Sequence, residues 1–461
     1  MQEKFPSCWK YGKVVPLHKK DSPLLAKNYR PVTILSPLSK VLEKLIFEQL
    51  YSYFSNNHIF HPNLHGYREN RSTQTALVQM YDRWVKAAAA KQVTGVVLLD
   101  LSAAFDLVDP SLLLAKLKIY GLGDDVLHWV ETYLTGRQQG VWIDNVLSEF
   151  LPCEVGVPQG SILGPLLFLI FYNDLPYSVR CDVDAYADDS TLSATSKDTQ
   201  GISDRLSESC SLVSQWMKSN KLKLNAGKTH LLTVGTAEKL RIVSEPVEVE
   251  MEGIRLAESD NKCELLLGVQ FQASLKWHEQ CTLLSRKLKT RLAGLGKLKF
   301  IVQESIRKTL AEGLFNSVLV YCLPLFGGCG KGDLQALQVL QNKAAQVVTK
   351  SPPRSNRDTM YDRLGWLTVN QLVFYHTVLS IFRIRQAGEP EYLARQLQND
   401  NRNGRLIIPR CKLSLAQKSF CIRGAESWNS LPEHIRLSRK LSEFKAKTRN
   451  WVQSIVPRFV Q

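Results

Sequence analysis

Long apolar stretches, leader-like segments and low-complexity tracts are all absent from the sequence of 461 residues. The longest apolar run, residues 162–172, is broken by Gly164-Pro165 and is shorter than the roughly 20 residues that a membrane-spanning helix needs. The first residues, MQEKFP, do not follow the basic-then-apolar order of a secretory signal. We therefore expect an intracellular globular chain with no membrane anchor and no clear targeting signal.

Cysteine is present without a recognisable pattern. The ten cysteines are scattered, no Cys-x-x-Cys occurs, and no histidine follows at zinc-knuckle spacing. Disulfide frameworks and the common zinc motifs both depend on such spacings. The pattern therefore indicates reduced thiols, with neither a disulfide framework nor a zinc site.

Positive charge is in excess. The formal net charge is +16 and the isoelectric point is near 9.3. Residues 401–461 alone hold 13 Lys and Arg against 3 Glu, so this tail supplies +10 of that charge. Such an excess is typical of proteins that bind nucleic acid. Charge alone leaves open the alternative of a basic surface without a nucleic-acid partner.

Acidic residues follow two predicted strands in the middle of the chain. Residues 93–99 (VTGVVLL) predict a buried strand that ends on Asp100, and residues 183–186 and 191–194 predict a hairpin with Asp188-Asp189 at its tip. Carboxylates at the ends of neighbouring buried strands would repel one another without a cation between them. Hard oxygen ligands of this kind favour Mg²⁺.

The remaining periodicity is largely helical. Ser36-Pro37 predicts an N-cap followed by an amphipathic helix, and residues 155–164 predict a glycine-punctuated loop. Residues 265–271 (LLLGVQF) are expected to form one strand with a central glycine, and residues 350–356 are the strongest linker candidate. Further helices are predicted over residues 74–91, 111–120, 125–134, 165–173, 202–219, 283–298 and 334–348.

Three motifs occur in order: LDLSAAFD (residues 99–106), GVPQGSILGP (residues 156–165) and YADD (residues 186–189). With them the sequence closely resembles the reverse transcriptases of non-LTR retrotransposons, in particular jockey-like and chicken-repeat-like LINE elements. The resemblance covers nearly the whole chain. It extends to fingers-like segments at residues 28–36 and 65–73, palm-like segments at 216–229 and 266–269, and C-terminal segments at 340–345 and 427–432.

The resemblance implies a two-metal centre. Asp100 and Asp188 would bind both Mg²⁺ ions, with Mn²⁺ able to substitute, while Asp189 assists and the Leu101 carbonyl is a backbone ligand. Phe105 resembles the steric gate that excludes a 2′-OH and so selects dNTPs; a core phenylalanine is the alternative. Asp106 and Asp109 are expected to cap or stabilise the following turn.

The resemblance also assigns substrate contacts. Lys20 and Arg30 are positioned like the fingers residues that hold the triphosphate, and Lys19 is a near-equal candidate for the lysine role. Gln159 is expected beside the nascent base pair, Tyr186 is expected to contact substrate, and Lys228 resembles the general acid for departing pyrophosphate; a solvated surface lysine is the alternative. Leu266, Leu267 and Gly268 look like the primer grip. Trp366, Trp428 and Trp451 are expected in the core rather than as base-stacking platforms.

The implied fold is α+β: a right-hand polymerase followed by an α-helical C-terminal region. We expect partial fingers over residues 1–92, a palm with interleaved fingers elements over 93–274, a thumb-like region over 275–349 and a basic helical region over 350–461. The reverse transcriptase domain as a whole would cover about residues 10–272.

The implied function is RNA-directed DNA polymerisation, with dNTPs added to a DNA primer on an RNA template during target-primed reverse transcription in the nucleus. The endonuclease expected upstream in the element has no counterpart in these residues, and the resemblance implies that the chain starts inside the fingers. An inactive remnant that only binds nucleic acid is the alternative. A viral RNA-dependent RNA polymerase would usually show Gly-Asp-Asp and a small residue in place of Phe105.

Overall fold

The structure is a computed structural model that describes residues 4–19, 22–242, 245–256, 258–259, 262–400 and 403–455. Its elements are mixed, with sheets in the first 272 residues whose pairings are antiparallel except for one parallel pair, Tyr11–His18 with Arg137–Ile143, and helices alone from residue 278 onward in the described part. The α+β class with a helical C-terminal region, predicted from the sequence, is confirmed. Among the described residues, no helix combines the length and the apolarity needed to cross a membrane.

Fifteen short strands are found in the described residues. They are β1 (Tyr11–His18), β2 (Tyr29–Ile34), β3 (Val93–Leu99), β4 (Leu101–Ser102), β5 (Arg137–Ile143), β6 (Val146–Leu147), β7 (Leu151–Cys153), β8 (Asp182–Tyr186), β9 (Asp189–Ser196), β10 (Lys223–Leu224), β11 (His230–Val234), β12 (Glu250–Met251), β13 (Ile254–Arg255), β14 (Cys263–Leu266) and β15 (Val269–Gln272).

The central sheet has the strand order β11-β3-β9-β8, and all three pairings are antiparallel. Its middle strand β3 is apolar and almost wholly buried, as a strand covered on both faces must be. A second sheet, β2-β1-β5-β6 with β7 beside β5, is built from the N-terminal residues and residues 137–153. The predicted acidic residues lie at strand ends of the central sheet. Among the described residues, the predicted basic candidates near the N-terminus lie on or next to strands β1 and β2 of the second sheet.

Helices cover the sheets and form the C-terminal half. The helices up to residue 297 are α1 (Pro37–Asn56), α2 (Thr73–Ala89), α3 (Pro110–Ile119), α4 (Asp124–Leu134), α5 (Leu163–Tyr172), α6 (Thr199–Ser219), α7 (Ala237–Ile242) and α8 (His278–Lys297). Those that follow are α9 (Glu304–Ala311), α10 (Ser317–Val320), α11 (Leu323–Phe326), α12 (Lys331–Thr349), α13 (Arg357–Leu364), α14 (Val369–Ala387), α15 (Glu391–Gln396), α16 (Ser414–Gln417), α17 (Phe420–Ser430), α18 (Glu433–Arg436) and α19 (Leu441–Ile455).

Helix α2 lies between the central sheet and the C-terminal helices. A capping box at Ser72 begins it, and most of its side chains are buried. Its apolar residues belong to the same buried cluster as β14, β15 and the helices from α8 onward. Polar contacts reinforce the packing: Tyr392 Oη donates to Asp82 Oδ2 at 2.7 Å, and Arg71 Nη2 lies 2.5 Å from Glu389 Oε2. The C-terminal region is therefore packed onto α2 and is not a detached tail.

Most elements predicted from the sequence are confirmed, with ends that differ by a few residues. Pro37 begins α1, the strand over residues 93–99 is β3, and the acidic hairpin is β8–β9. One expectation is wrong: residues 265–271 form a hairpin, β14–β15, that turns at Leu267-Gly268. Residues 350–356 form a short loop between α12 and α13, which share one buried cluster. The subdomain boundaries stay predictions.

Candidate active site

The acidic residues meet where β3 ends and β9 begins. In the central sheet Leu99 pairs with Ser190, so Asp100 and Asp189 are the next residues on neighbouring strands. Tyr186 pairs with Asp189 across the hairpin, which leaves Ala187 and Asp188 in the turn. Ala187 has a φ of 59°, in the left-handed region that tight hairpin turns require. The register alone therefore brings Asp100 beside the Asp188-Asp189 tip.

A loop at residues 61–67 packs against the β8–β9 hairpin. His65 N donates to Ala185 O at 2.8 Å, and Ala185 N donates to Asn63 O at 3.1 Å. Gly66 lies so close to the turn that a Cβ there would be 2.4 Å from Ala187 N. Only glycine fits at this position without moving the turn.

A buried charge cluster fixes β8 to α2. Asp184 is 2% exposed and forms an ion pair with Arg83, and its Oδ1 lies 3.7 Å from His65 Nε2. Burial lowers the pKa of His65, although the Asp184 carboxylate opposes this shift, so the ring is neutral at pH 7. His65, Arg83 and Asp184 carry no signal in the sequence, because only the fold brings these segments together.

The carboxylates at the tip repel one another. Burial raises the pKa of Asp189, the charges of Asp188 and Asp100 raise it further, and Lys19 lowers it. The three carboxylates supply only oxygen donors, and their mutual repulsion is what a bound cation would relieve. These residues fit the divalent metal ion on which the reverse transcriptase family generally depends.

A cavity of about 290 Å³ opens beside the acidic residues. Three predicted catalytic groups line it, Asp100, Asp189 and Lys228, together with the predicted primer grip at residues 266–268. His230 and Glu264, which the sequence analysis did not identify, line the same cavity, and His230 Nδ1 lies 3.7 Å from Glu264 Oε1. The structure thus brings together residues that are up to 168 positions apart in the sequence.

Lys228 lies in a segment, residues 223–229, that is hydrogen-bonded to the residues after β3. Leu224 pairs with Leu101 in a short two-stranded ladder, and Asn225 N donates to Asp100 O at 2.9 Å. Lys228 N in turn donates to Asn225 O at 3.0 Å. The ammonium group of Lys228 is therefore carried on a turn that is hydrogen-bonded directly to Asp100.

Phe105 lies on an aromatic stack. Its ring stacks on Phe168 with centroids 4.4 Å apart, and Tyr67 meets it edge-on at 6.0 Å. Phe105 is half-buried. Asp109 caps α3 by accepting from Leu112 N at 3.0 Å, which confirms the capping role expected for it.

The loop over residues 155–162 is tied to the residues around Phe105. Gln159 Nε2 donates to both carboxylate oxygens of Asp106, at 2.7 and 2.9 Å. Thr33 N donates to Gln159 O at 2.7 Å, and Gly160, with a φ of 119°, passes over Thr33 too closely for any side chain. Gln159 lines a second cavity, of about 400 Å³, and does not line the one beside Asp189.

The basic candidates lie on and after β1 and β2. Arg30 is exposed on β2, opposite Leu17. Burial raises the pKa of Tyr67, the charge of Asp188 raises it further, and the charge of Arg30 opposes this shift. Lys19 N donates to Asn28 O at 2.8 Å, and its charge reaches Asp189. Lys20 lies outside the described residues. Of the two lysine candidates, Lys19 is the one among the described residues, and its charge acts on Asp189.

The predicted primer grip is the turn of β14–β15. Leu267 and Gly268 have φ values of 46° and 80°, as in the two-residue turns that join twisted strands. Tyr321 Oη donates to Leu267 O at 2.7 Å and its ring lies against Gly268. The C-terminal helical region thus supports this turn from behind.

The tryptophans of the basic tail are mostly core residues. Trp366 and Trp428 are 6% and 1% exposed, and Trp451 packs on Phe374 with centroids 5.4 Å apart. The expectation that they are core residues is confirmed for Trp366 and Trp428. Neither of these two can serve as a stacking platform for bases.

More than half of the chain matches a known protein family. Residues 17–285 match the family described as reverse transcriptase (RNA-dependent DNA polymerase). A probable RNA-directed DNA polymerase from transposon BS of Drosophila melanogaster is 28% identical, over 85% of this chain and 44% of the relative. The RNA-directed DNA polymerase from mobile element jockey of the same fly is 26% identical, over 76% of this chain and 38% of the relative. The chain thus spans less than half the length of these curated relatives.

Similar solved structures include telomerase from Candida tropicalis in complex with a fragment of telomeric RNA. That structure has 10% identity, covers 98% of this chain and 65% of its own, and has a TM-score of 0.45. The RNA-dependent RNA polymerase of a human picobirnavirus has 11% identity, covers 77% of this chain and 61% of its own, and has a TM-score of 0.39.

Proposed function

Because the chain belongs to the reverse transcriptase family, with relatives in jockey-like non-LTR retrotransposons, we propose that it is the RNA-directed DNA polymerase of such an element. The observation that carries this proposal is the cavity that joins Asp100 and Asp189 to Lys228 and the turn at residues 266–268. Carboxylates, a cation and a backbone turn around one cavity provide the parts that nucleotidyl transfer needs.

Asp100, Asp188, Asp189 and the Leu101 carbonyl would hold two Mg²⁺ ions, for which Mn²⁺ can substitute. Oxygen donors suit both ions, and Mg²⁺ in particular retains waters and contacts substrate phosphates. When bound, the ions supply activation of the primer hydroxyl and neutralisation of the leaving pyrophosphate. Burial and the charges of Asp188 and Asp100 raise the pKa of Asp189, and a bound cation would relieve the repulsion among these carboxylates, which supports this assignment.

The chain's own residues would bind and orient the substrates. Arg30 and a lysine, Lys19 or Lys20, would hold the triphosphate, since Arg offers paired donors and Lys a point charge. Lys228 would donate a proton to the departing pyrophosphate. Residues 266–268 would hold the primer end near the acidic tip.

Three further contacts would set the choice of nucleotide. Phe105, fixed by its stack on Phe168, would lie under the sugar and exclude a 2′-OH. Tyr186, at the base of the turn, would border the nucleotide. Gln159 would lie beside the nascent base pair, oriented by its two bonds to Asp106.

The template would be the element's RNA and the primer the nicked target DNA. The net charge of +16 favours both partners, because phosphate backbones attract such a surface. Target-primed synthesis also needs an endonuclease of the element, and it would take place in the nucleus.

Primer extension tests the proposal. The purified chain is given a DNA primer on an RNA template, dNTPs and Mg²⁺, and extension is expected for wild type but not for Asp100→Ala or Asp188→Ala. Asp204→Asn is the matched control, because it removes an exposed carboxylate on α6 away from the cavity. Salt-sensitive binding without extension by wild type would overturn the proposal in favour of a nucleic-acid-binding remnant.

A further inference from the structure

Four side chains with metal-binding chemistry meet at the start of α8 and the start of α12. Cys281 and His278 lie in the first turn of α8, and Cys329 and Asp333 flank the beginning of α12. The two sulfur atoms and one carboxylate oxygen lie within 4.8 Å of one another. His278 Nδ1 lies 2.8 Å from Asp333 Oδ1. This group is separate from the acidic tip and takes no part in the function proposed above.

We propose that Cys281, Cys329 and Asp333 bind a single Zn²⁺ ion, with His278 orienting the Asp333 carboxylate. The ligands are two thiols and one carboxylate, and the imidazole of His278 contacts the carboxylate. Soft sulfur ligands select Zn²⁺ over Mg²⁺ and Ca²⁺, and zinc accepts sulfur, nitrogen and oxygen donors together.

The dimensions suit a zinc ion. Zinc bonds of about 2.0–2.3 Å place tetrahedral ligand atoms roughly 3.3–3.8 Å apart. The observed group, within 4.8 Å, needs only small side-chain movements to close around the ion. All ten cysteines are free thiols in the structure, so both sulfur atoms remain available.

Burial and charge are also suitable. Cys281 is 3% exposed, whereas the Asp333 side chain is 20% exposed and that of His278 is 68% exposed. Zinc would displace the thiol protons, since thiolates rather than thiols are the ligands.

The hydrogen bond of His278 has a defined role in such a site. A ligand carboxylate is commonly held by a second hydrogen bond, and loss of that bond weakens metal binding by about 10- to 100-fold. The observed contact between His278 and Asp333 supplies this bond. Loss of a direct sulfur ligand should weaken binding more than loss of His278.

The ion would fix the helices behind the predicted primer grip. Gln280, next to Cys281, accepts a hydrogen bond from Gln270 N of β15 at 2.8 Å. A metal bond between α8 and α12 would therefore also restrain the β14–β15 hairpin. This role is structural, so it can be tested without any polymerase activity.

The sequence pattern is His278-x2-Cys281 followed much later by Cys329-x3-Asp333. It lacks a Cys-x-x-Cys pair and draws its ligands from two distant segments. For that reason the spacing of the cysteines predicted no zinc site.

Metal content and cobalt spectroscopy test the proposal on the full chain. Protein purified without chelator should contain one Zn²⁺ per chain by mass spectrometry of the elements. After chelation, Co²⁺ should produce thiolate-to-cobalt absorption and Zn²⁺ should raise Tm. Cys281→Ser and Cys329→Ser should each weaken Zn²⁺ binding at least about 100-fold, and His278→Ala by about 10- to 100-fold.

The matched controls are Cys153→Ser and Cys411→Ser, which remove half-buried thiols elsewhere and should leave zinc binding unchanged. If a serine variant fails to fold, the cobalt absorption of wild type alone decides the question. Absence of bound metal and of thiolate absorption in wild type would overturn the proposal. A Cys281–Cys329 disulfide in freshly isolated protein would overturn it as well, because the pair would then be a redox couple.

Discussion

Substitution of Gly66 by alanine should disable the proposed catalytic centre while leaving the chain folded. The new Cβ would lie 2.4 Å from Ala187 N and 3.2 Å from the Tyr186 carbonyl carbon. An ordinary contact needs about 3.4 Å, so the turn that carries Asp188 must move by roughly 1 Å. A displacement of about 1 Å in a reacting group lowers turnover about 100-fold, and overpacking costs about 1–3 kcal/mol of stability.

The assay is steady-state primer extension, with kcat and KM measured separately and Tm measured on the same preparation. We expect kcat to fall about 100-fold, KM for dNTP to change little, and Tm to fall by several degrees. Gly123→Ala is the control, because no atom lies within 4 Å of its added Cβ and turnover should persist. A Gly66→Ala variant with wild-type kcat would refute the dependence of the catalytic turn on this contact.

Three further predictions concern single side chains. Phe105→Ala should reduce discrimination against rNTPs by about 10- to 100-fold in competitive extension; unchanged discrimination would exclude the gate role. Arg83→Met should lower the free energy of unfolding in urea by about 3–5 kcal/mol, because Asp184 is left buried without its partner, and Asp184→Asn in the same chain should restore part of it. Burial lowers the pKa of His61 to about 4, so stability should decline as pH falls from about 6.5 towards 4, since only the unfolded chain gains the proton. His61→Gln should reduce that decline, measured by urea unfolding at pH 7 and 5, by about 1 kcal/mol after a discount for solvent screening.

The sequence predicted the central sheet and its acidic residues well, because local patterns there agree with the fold. Strand β3 is an uninterrupted apolar run, and the Asp188-Asp189 pair lies between two β-prone segments. A buried strand of this kind specifies its own register with the hairpin. The position of Asp100 beside Asp189 follows directly.

The hairpin β14–β15 could not be predicted from the same rules. Residues 265–271 alternate poorly and contain one glycine, and Leu267 adopts a positive φ that leucine rarely favours. Tyr321, a distant residue, stabilises this turn through its bond to Leu267 O. A tertiary contact thus overrides the local preference, and no local pattern encodes it.

The remaining parts of the site depend on long-range pairing. Asp184 comes close to Arg83 and His65 only after β8 has packed against α2 and against the loop at residues 61–67. The spacing of single polar residues gives no signal for such a cluster. The same holds for Glu264 and His230, which meet across two sheets.

The packing of α2 has a consequence for how the protein is made. Arg83 of α2 forms an ion pair with Asp184 of β8. Asp82 of the same helix accepts a hydrogen bond from Tyr392, which lies 310 positions later in the chain. A ribosome must therefore release nearly the entire polypeptide before α2 can acquire all its partners. A fragment cut at residue 285, where the family match ends, would expose the apolar face of α2 to water. We therefore expect that residues 1–285 do not fold independently, and that excised versions aggregate during expression unless the C-terminal residues are co-expressed.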